Sequence, residues 1–267
     1  MKKVGVRWTI GHVNRRGFEA LRFSIWGAWR IFGDAARYAV CVNRISPGMA
    51  RELTGEVPPE VEWIGVDRRE IPGALRRHLD ANMAEGVGWK FAPIRLFPGL
   101  HELALDNDCI LWRLPQAIER WLAMDSPVAS VIAEDVRTCL GCFASLCGSE
   151  PRNSGIRGLS PGFDYLAALR KILRVHPARL RSELDEQGLQ TAALQRFSAP
   201  LVVTSKEVSI CSPFWPHSPE PGECGAHFVG LNAHHIAWSY YDRPADRWMH
   251  DHWTRLREIL QEKIKVG

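Results

Sequence analysis

Two carboxylates interrupt an apolar stretch of the sequence. Asp106 and Asp108 lie two positions apart in LALDNDCILW, residues 103–112, with apolar residues on both sides. Side chains two positions apart on an extended segment share a face, so both carboxylates could reach one ligand. Carboxylates bind Mg²⁺ and Mn²⁺, commonly together with substrate phosphates. The pair therefore predicts a divalent-cation site. If the chain turns here, one carboxylate would hold the ion and the other a sugar hydroxyl; a plain strand-to-turn junction is the structural alternative.

Three later segments place polar side chains where they could join this site. Each also has a structural interpretation: an ordinary loop, the preference of helix N-termini for negative charge, or a histidine packed in the interior. The segments are an Asn-Ser-Gly turn before an apolar strand in RNSGIRGL (152–159), a helix start with two carboxylates and an amide in LDEQGLQ (184–190), and a glycine-flanked histidine in CGAHFVGLN (224–232).

The elements around these segments alternate between strand and helix. Strand patterns cover 3–13, 37–45, 61–67, 102–106, 127–135 and part of 200–210. Helical patterns cover 18–33, 74–85, 115–124, 161–175, 185–197 and 250–266, and a Pro/Gly-rich loop at 212–225 could close over a site. This alternation predicts an α/β sheet with helices on its faces. Ligands of such sheets bind beyond the carboxyl ends of strands, which is where the two aspartates lie.

Composition narrows the class of protein. The chain has 267 residues, enough for one large domain or two packed lobes, and its net charge of +4 argues against a dedicated nucleic-acid surface. No apolar run reaches the roughly 18 residues of a spanning helix, and the N-terminus is typical of a strand rather than a signal peptide. Seven cysteines in mostly apolar contexts favour reduced thiols and a cytoplasmic location. One Cys-x-x-Cys pair, Cys139 and Cys142, has no second pair at zinc-ribbon distance.

Taken in order, LALDNDCIL, NSGIRGL, LDEQGL and HFVGLN resemble the motifs of nucleotide-sugar glycosyltransferases of the GT-A fold. The pattern is most similar to the retaining group that includes glycogenin and bacterial lipopolysaccharide galactosyltransferases, and it spans about residues 3–232. The resemblance implies an α/β GT-A fold with a mixed central sheet flanked by helices. It also implies a metal-dependent transfer from a nucleoside-diphosphate sugar to a hydroxyl acceptor, whether glycan, lipid-linked or protein, with Mn²⁺ or Mg²⁺ as cofactor.

The resemblance implies roles for individual residues. The cation would be bound by Asp106, Asp108 and His227, with Asp106 at its edge or on the donor ribose. At the nucleoside pocket, the donor would be bound by Trp8, Thr9, Ile10 and Gly11. Lys90 and Arg95, before the D-x-D strand, would also bind the donor. The remaining donor contacts would come from Asn107 with Asp106, and from Ser154 beside the sugar. The reaction centre would contain Asn153, Asp185, Glu186 and Gln187.

Two motifs depart from the family pattern. HFVGLNAHHIAW (227–238) lacks the Lys-Pro-Trp that usually follows the late histidine, although His234, His235 and Trp238 lie nearby. The helix start reads Asp-Glu-Gln rather than Asp-Gln-Asp. Three points are therefore open: whether the late motif binds diphosphate, which side chain of the helix start faces the sugar, and whether the reaction retains or inverts stereochemistry. Glu134 and Asp135 are further candidates for work near the centre.

The sequence predicts one domain over 1–267, with a nucleotide-sugar-binding half (1–113), an acceptor-side half (114–235) and a C-terminal helical tail (236–267). Two other functions are considered. A sugar-phosphate nucleotidyltransferase would need a Gly-rich phosphate loop, which TIGHVNRRGF (9–18) matches poorly. A non-catalytic nucleotide-sugar or carbohydrate-binding protein would suit the 11 tryptophans, but core packing explains them as well. The terminal helix carries both charge signs, which favours packing on its own domain over peripheral contact with a membrane.

Overall fold

The computed structural model describes residues 3–80, 88–231, 239–240 and 242–264. The strands are β1 (Val4–Ile10), β2 (Ala36–Val42), β3 (Val61–Gly65), β4 (His101–Leu105), β5 (Cys109–Leu111), β6 (Ser130–Glu134), β7 (Arg152–Leu159), β8 (Leu201–Val203), β9 (Val208–Ile210), β10 (Gly225–His227), β11 (Ser239–Tyr240) and β12 (Arg243–Pro244). The α-helices are α1 (Arg15–Phe32), α2 (Pro47–Thr54), α3 (Gly73–Arg76), α4 (Gln116–Leu122), α5 (Tyr165–Val175), α6 (Glu183–Phe197) and α7 (Ala245–Ile264).

Seven strands form a mixed central sheet in the order β3-β2-β1-β4-β7-β6-β8. β3, β2, β1 and β4 are parallel, β7 is antiparallel to both of its neighbours, and β6 is parallel to β8. A second sheet has the order β5-β10-β9. The carboxyl ends of β1 and β4 therefore meet at one edge, and the chain passes from β4 directly into the second sheet.

Apolar side chains cover both faces of the central sheet. In β2, Val40 and Val42 belong to the core that α1 and α4 cover, whereas Cys41 belongs to the core that α5 and α6 cover. Successive strand residues point to opposite faces, so this alternation is expected of a strand buried on both sides. The predicted α/β layering is confirmed, and Trp8 and Trp121 are fully buried core residues.

The first helix is held close to the second sheet. Asn14 caps α1 by accepting a hydrogen bond from the Gly17 amide (2.9 Å). A Cβ at Gly27 would lie 2.0 Å from the Leu111 carbonyl oxygen, so the absence of a side chain lets α1 approach β5. This contact fixes the second sheet against the first.

Several boundaries differ from the sequence predictions. Residues 153–155, predicted as a turn, lie inside β7, and the helix predicted from 250 starts at Ala245. The helix predicted over 161–175 starts at Tyr165, because Asp164 caps it and accepts from the Ala167 amide (2.9 Å). Of the helix predicted over 74–85, the structure contains α3, and residues 81–85 lie outside the described residues.

Among the described helices, none combines the length and apolar character required to cross a membrane.

Candidate active site

The two carboxylates lie where the central sheet meets the second one. β4 ends at Leu105 and β5 starts at Cys109, so Asp106 and Asp108 belong to the short connection between the sheets. The Cys109 amide donates to the Asp106 carbonyl (3.0 Å), and the Phe228 amide donates to the Asp108 carbonyl (2.9 Å). Both donors belong to the second sheet or directly follow it, so that sheet holds the connection beyond the carboxyl end of β4, where the sequence predicted the ligand site.

His227, the last residue of β10, completes a group of three ligands. Its Nε2 atom is 3.3 Å from Asp108 Oδ1 and 3.7 Å from Asp106 Oδ2. Two ligands of one octahedral ion lie about 3 to 4 Å apart at Mg–O distances near 2.1 Å. One ligand atom from each residue lies within 4.8 Å of the other two, the single group of this kind among the described residues. Two carboxylates and an imidazole fit Mn²⁺ or Mg²⁺.

A glycine makes room for the imidazole. The pairing of β7 with β6 shifts between Ile132 and Ala133, which places Gly155 in an irregular part of β7. A Cβ at Gly155 would lie 2.2 Å from His227 Cε1 and 2.6 Å from its Nδ1. The Gly155 carbonyl also accepts the Asp106 amide (2.9 Å). Gly155, the last residue of the Asn-Ser-Gly motif, therefore contacts both ligand residues, and only a glycine leaves room for the imidazole.

The protonation of His227 depends on the carboxylates. Burial lowers the pKa of the imidazole, but the hydrogen bond to Asp108 and the charges of Asp108 and Asp106 outweigh burial and raise it. The Nδ1 atom is buried and has no hydrogen-bond partner among the described residues. Metal binding needs the neutral ring, so a cation would take the place of a proton that the two aspartates favour.

A half-buried lysine joins the aspartates to the start of α6. Lys90 Nζ is 2.8 Å from Asp106 Oδ1 and 3.5 Å from Glu186 Oε2. Burial lowers the pKa of Lys90, but the charges of Asp106 and Glu186 outweigh burial and raise it, so the ammonium stays charged.

Glu186 is the most perturbed carboxyl group of the site. Its side chain is 1% exposed, and its Oε1 atom has no hydrogen-bond partner among the described residues. Burial raises the pKa of Glu186 to about 7, although the charge of Lys90 lowers it. An unsatisfied buried oxygen costs about 1–3 kcal/mol, which a ligand hydroxyl could recover.

Asp185 points away from Glu186 and caps the helix. It accepts hydrogen bonds from the amides of Cys142 (2.9 Å), Arg181 (2.8 Å) and Ser182 (3.2 Å). Burial raises the pKa of Asp185, but these hydrogen bonds outweigh burial and lower it. Asp185 therefore fixes the start of α6 and holds the 141–146 segment against it.

Gln187 connects the helix start to β7. Its Nε2 atom donates to the Cys139 carbonyl (2.9 Å), and its Oε1 atom accepts the Ser154 amide (3.1 Å). Of the three polar residues that the sequence singled out here, Glu186 is the one that contacts Lys90. The three side chains are thus distinguished by their contacts, while the catalytic roles stay predictions.

Asn153 and Ser154 lie against these groups. Asn153 Nδ2 donates to Asp135 Oδ2 (3.0 Å), and its Oδ1 atom accepts the Gly155 amide (2.8 Å). A cavity of about 20 Å³, enough for one water molecule, lies beside Asp106. Its lining residues are Arg7, Thr9, Lys90, Ala104, Leu105, Asp106, Ser154 and Arg157.

The residues predicted for the nucleoside pocket are placed differently from one another. Thr9 lines the cavity beside the aspartates. Trp8 lies in the core, where its indole N–H donates to Ser24 Oγ (2.8 Å). Ile10 is buried, and its carbonyl accepts the Asn43 side-chain amide (2.9 Å). The end of β1 therefore contributes Thr9 and backbone to the site, with Trp8 and Ile10 packed inward.

Two further predicted donor residues make their contacts elsewhere. Arg95 is nearly buried and donates to the carbonyls of Ser160 (2.9 Å) and Leu100 (3.1 Å). Asn107 Nδ2 donates to the Gly17 carbonyl on α1 (3.1 Å). The structure therefore brings Lys90, not Arg95, to the aspartates. The predicted residues His234, His235 and Trp238 lie outside the described residues.

Sequence reasoning missed a polar network beneath the site. Tyr165 donates its hydroxyl to Gln190 Oε1 (2.6 Å), and Arg157 donates to Gln190 and to the Tyr165 hydroxyl (3.3 Å). The Arg157 guanidinium carbon also lies 4.7 Å from the centroid of the Tyr165 ring. An arginine within the apolar segment GIRGL was the available signal, because a charge is buried in a strand only with partners.

No protein-family model and no curated protein sequence matches the chain. Solved structures do match. The galactosyltransferase LgtC in complex with donor and acceptor sugar analogs is 11% identical, with 95% of this chain and 99% of that chain covered and a TM-score of 0.51. An active-site glutamine-to-glutamate mutant of LgtC gives 12% identity, coverage of 94% and 95%, and the same TM-score of 0.51.

Mouse xyloside xylosyltransferase 1 in its apo form is similar as well. It is 13% identical, covers 86% of this chain and 98% of its own, and has a TM-score of 0.54. These likenesses establish that the chain has the GT-A fold of these glycosyltransferases, and the fold predicted from the four ordered motifs is confirmed.

Proposed function

We propose that the chain is a metal-dependent glycosyltransferase that uses a nucleoside-diphosphate sugar and a hydroxyl acceptor. One observation carries the proposal. The two carboxylates and the imidazole of Asp106, Asp108 and His227 converge beyond the end of β4, next to the ion pair of half-buried Lys90 and buried Glu186. On an α/β sheet, groups at this edge would lie where ligands bind. In support, the neighbour LgtC has been solved in complex with donor and acceptor sugar analogs and as an active-site mutant.

The residues supply distinct parts of the reaction. A cation held by Asp106, Asp108 and His227 would stabilise the charge on the diphosphate as the sugar leaves. Lys90 adds a fixed positive charge beside Asp106 and keeps Glu186 close. Ionised Glu186, with one oxygen unbonded, would stabilise the positive charge that develops on the sugar ring. Asp185 and Gln187 keep the helix start in position and do not need to touch the substrate.

The acceptor would approach from the 212–225 loop. This loop starts next to His227, because the Cys211 amide donates to the His227 carbonyl (2.8 Å). Trp215 on the loop is 86% exposed, unlike the core tryptophans. Burial, assisted by Arg137, lowers the pKa of His217, and the charge of Asp135 opposes this shift. An exposed indole next to a neutral imidazole would suit a sugar, with the ring stacking and the imidazole bonding a hydroxyl.

The proposal is tested by donor binding and turnover. Thermal unfolding is measured with a panel of nucleoside diphosphates and their sugars, each with Mn²⁺ and with chelator, because a ligand of the folded state raises the melting temperature. One nucleotide should stabilise the chain only with Mn²⁺, and its sugar should be hydrolysed or transferred. Asp108→Asn should abolish both effects while the protein stays folded.

Asp125→Asn, which changes an exposed aspartate, is the matched control and should behave as the wild type. Mn²⁺-dependent turnover that persists in Asp108→Asn would contradict the metal site. Release of pyrophosphate from a nucleoside triphosphate and a sugar phosphate would contradict glycosyl transfer and favour a nucleotidyltransferase.

A further inference from the structure

A second cavity, of about 130 Å³, lies outside the candidate active site between α3 and α5. Its lining residues are Ala74, Arg77, His78, Arg170, Leu173 and Arg174. We name it the arginine cavity. Three arginines from two separate segments of the chain therefore line one concave space.

Among the described residues, no carboxylate neutralises the arginine cavity. Arg77, Arg170 and Arg174 are exposed, and none of them makes an ion pair within the described part of the chain. Residues 165–182 contain five Arg or Lys residues and no Asp or Glu, in a chain whose whole net charge is +4. Arg170 and Arg174, two of these five, line the cavity together with Arg77, so like charges lie close to one another there, and mutual repulsion of this kind costs stability.

A purely structural role explains only part of this arrangement. Arg174 lies in the last turn of α5, where a cation interacts favourably with the helix dipole. The His78 ring bonds the Ala178 carbonyl (3.0 Å) and so fastens the wall of the cavity. Neither role accounts for Arg77, which reaches the same space from the other segment, or for Arg170 one turn before Arg174.

The arginine cavity is connected to the candidate active site through its wall. The Leu180 amide donates to the His78 carbonyl (2.8 Å), and the Asp80 amide donates to the Leu180 carbonyl (3.1 Å). The next residue, Arg181, donates its amide to Asp185 at the start of α6. Since residues 176–182 join α5 to α6 and the two helices pack together, the end of α5 lies beside the start of α6.

We infer that the arginine cavity binds a phosphoryl group, and that the group belongs to a phosphorylated acceptor. The second half of this inference rests on the proposed function; the first does not. Guanidinium groups match the oxygens of a phosphoryl group with paired N–H donors. The volume is several times what one water molecule needs, which leaves room for a tetrahedral phosphoryl group. A cavity, rather than a flat patch, favours a discrete group over a membrane surface.

Inorganic phosphate is the first probe. Its binding to the full chain is measured by calorimetry at constant ionic strength, with chloride as the balancing ion. Arg77→Gln/Arg174→Gln should weaken binding by about tenfold or more, because charge-assisted bonds are lost. The control Arg51→Gln/Arg120→Gln removes the same charge from exposed positions elsewhere and should leave the affinity unchanged.

Three further measurements test whether a phosphorylated sugar occupies the cavity, whether the cavity is independent of the candidate active site, and whether the arginines are needed for folding. Glucose 6-phosphate should compete with phosphate, and glucose should not. Asp108→Asn should retain phosphate binding even if it abolishes donor turnover, so failure of the proposed function is distinguishable from failure of this site. Without phosphate, the Arg77→Gln/Arg174→Gln protein should melt close to the wild type, because relief of repulsion offsets the loss of the Arg174 cation at the end of α5.

Two results would overturn the inference. One is unchanged phosphate affinity in Arg77→Gln/Arg174→Gln. The other is sedimentation with phosphatidylglycerol vesicles, but not phosphatidylcholine vesicles, that depends on Arg77 and Arg174 while glucose 6-phosphate does not compete. That outcome would assign the surface to an anionic membrane.

Discussion

Replacing Glu186 by glutamine should make the protein more stable and less active. The side chain is 1% exposed, and burial raises its pKa to about 7 from an ordinary value of 4.5. Ionised Glu186 is therefore unfavourable in the folded state, whereas the glutamine side chain of the variant would carry no charge at any pH. The same ionised group is the one that the proposed reaction uses.

The size and sign of the effect follow from the pKa of Glu186. Between pH 4.5 and about 7 the folded state retains a proton that the unfolded state releases, so the free energy of unfolding falls as pH rises. At 1.36 kcal/mol per pKa unit, the difference between 4.5 and about 7 corresponds to about 3 kcal/mol of unfolding free energy that is lost by pH 8. Glu186→Gln should therefore gain stability relative to the wild type on going from pH 4.5 to pH 8, by up to about 3 kcal/mol.

The assay is thermal or urea unfolding of both proteins across this pH range, in chelator so that no cation contributes. Glu52→Gln, at an exposed position, is the matched control and should show no such trend. Transfer by the wild type should rise with pH as Glu186 ionises, and transfer by Glu186→Gln should be low throughout. A stability difference that is the same at pH 4.5 and pH 8 would refute the burial argument, and full activity in the variant would refute the catalytic role.

Two further substitutions test the ligand geometry and the acceptor face. Gly155→Ala places a Cβ 2.2 Å from the His227 ring, so it should lower the free energy of unfolding by about 1–3 kcal/mol and abolish the Mn²⁺-dependent rise in melting temperature. The control Gly99→Ala, whose Cβ meets no atom within 4 Å, should do neither. A normal Mn²⁺ response in Gly155→Ala would contradict the packing argument. Trp215→Ala should raise the acceptor KM about tenfold through lost stacking and leave the donor KM unchanged in steady-state kinetics, and an unchanged acceptor KM would remove the indole from the acceptor site.

Local patterns were sufficient to predict the strand edge and its polar residues. Asp106 and Asp108 are recognisable because carboxylates rarely follow a buried strand without a partner. The alternation of strand and helix patterns predicts an α/β sheet with helices on its faces, and the carboxyl end of β4 is then the place for a ligand. The Asn-Ser-Gly motif indicates where backbone must come close to another group, although its location inside β7 was not predicted.

Other parts depend on contacts distant in sequence. Asp185 accepts from the distant Cys142 amide as well as from the local amides of Arg181 and Ser182, and the directions of Glu186 and Gln187 follow from its position. No pattern within residues 184–190 contains that information. For the same reason, the sequence assigned both Lys90 and Arg95 to donor binding and did not show which of them lies beside the aspartates. Arg95 is held by backbone carbonyls from the segment around Ser160, which only the folded chain brings near.

The location of the candidate ligands has a consequence for cooperativity. Asp106 follows the central sheet, whereas His227 ends a strand of the second sheet, and 3.7 Å separates His227 Nε2 from Asp106 Oδ2. An ion bound by both Asp106 and His227 would cross-link the central sheet and the second sheet. Amide hydrogen exchange in β9 and β10 would then slow together with exchange in β4. Binding of the cation and the donor would therefore stabilise strands that neither of them contacts.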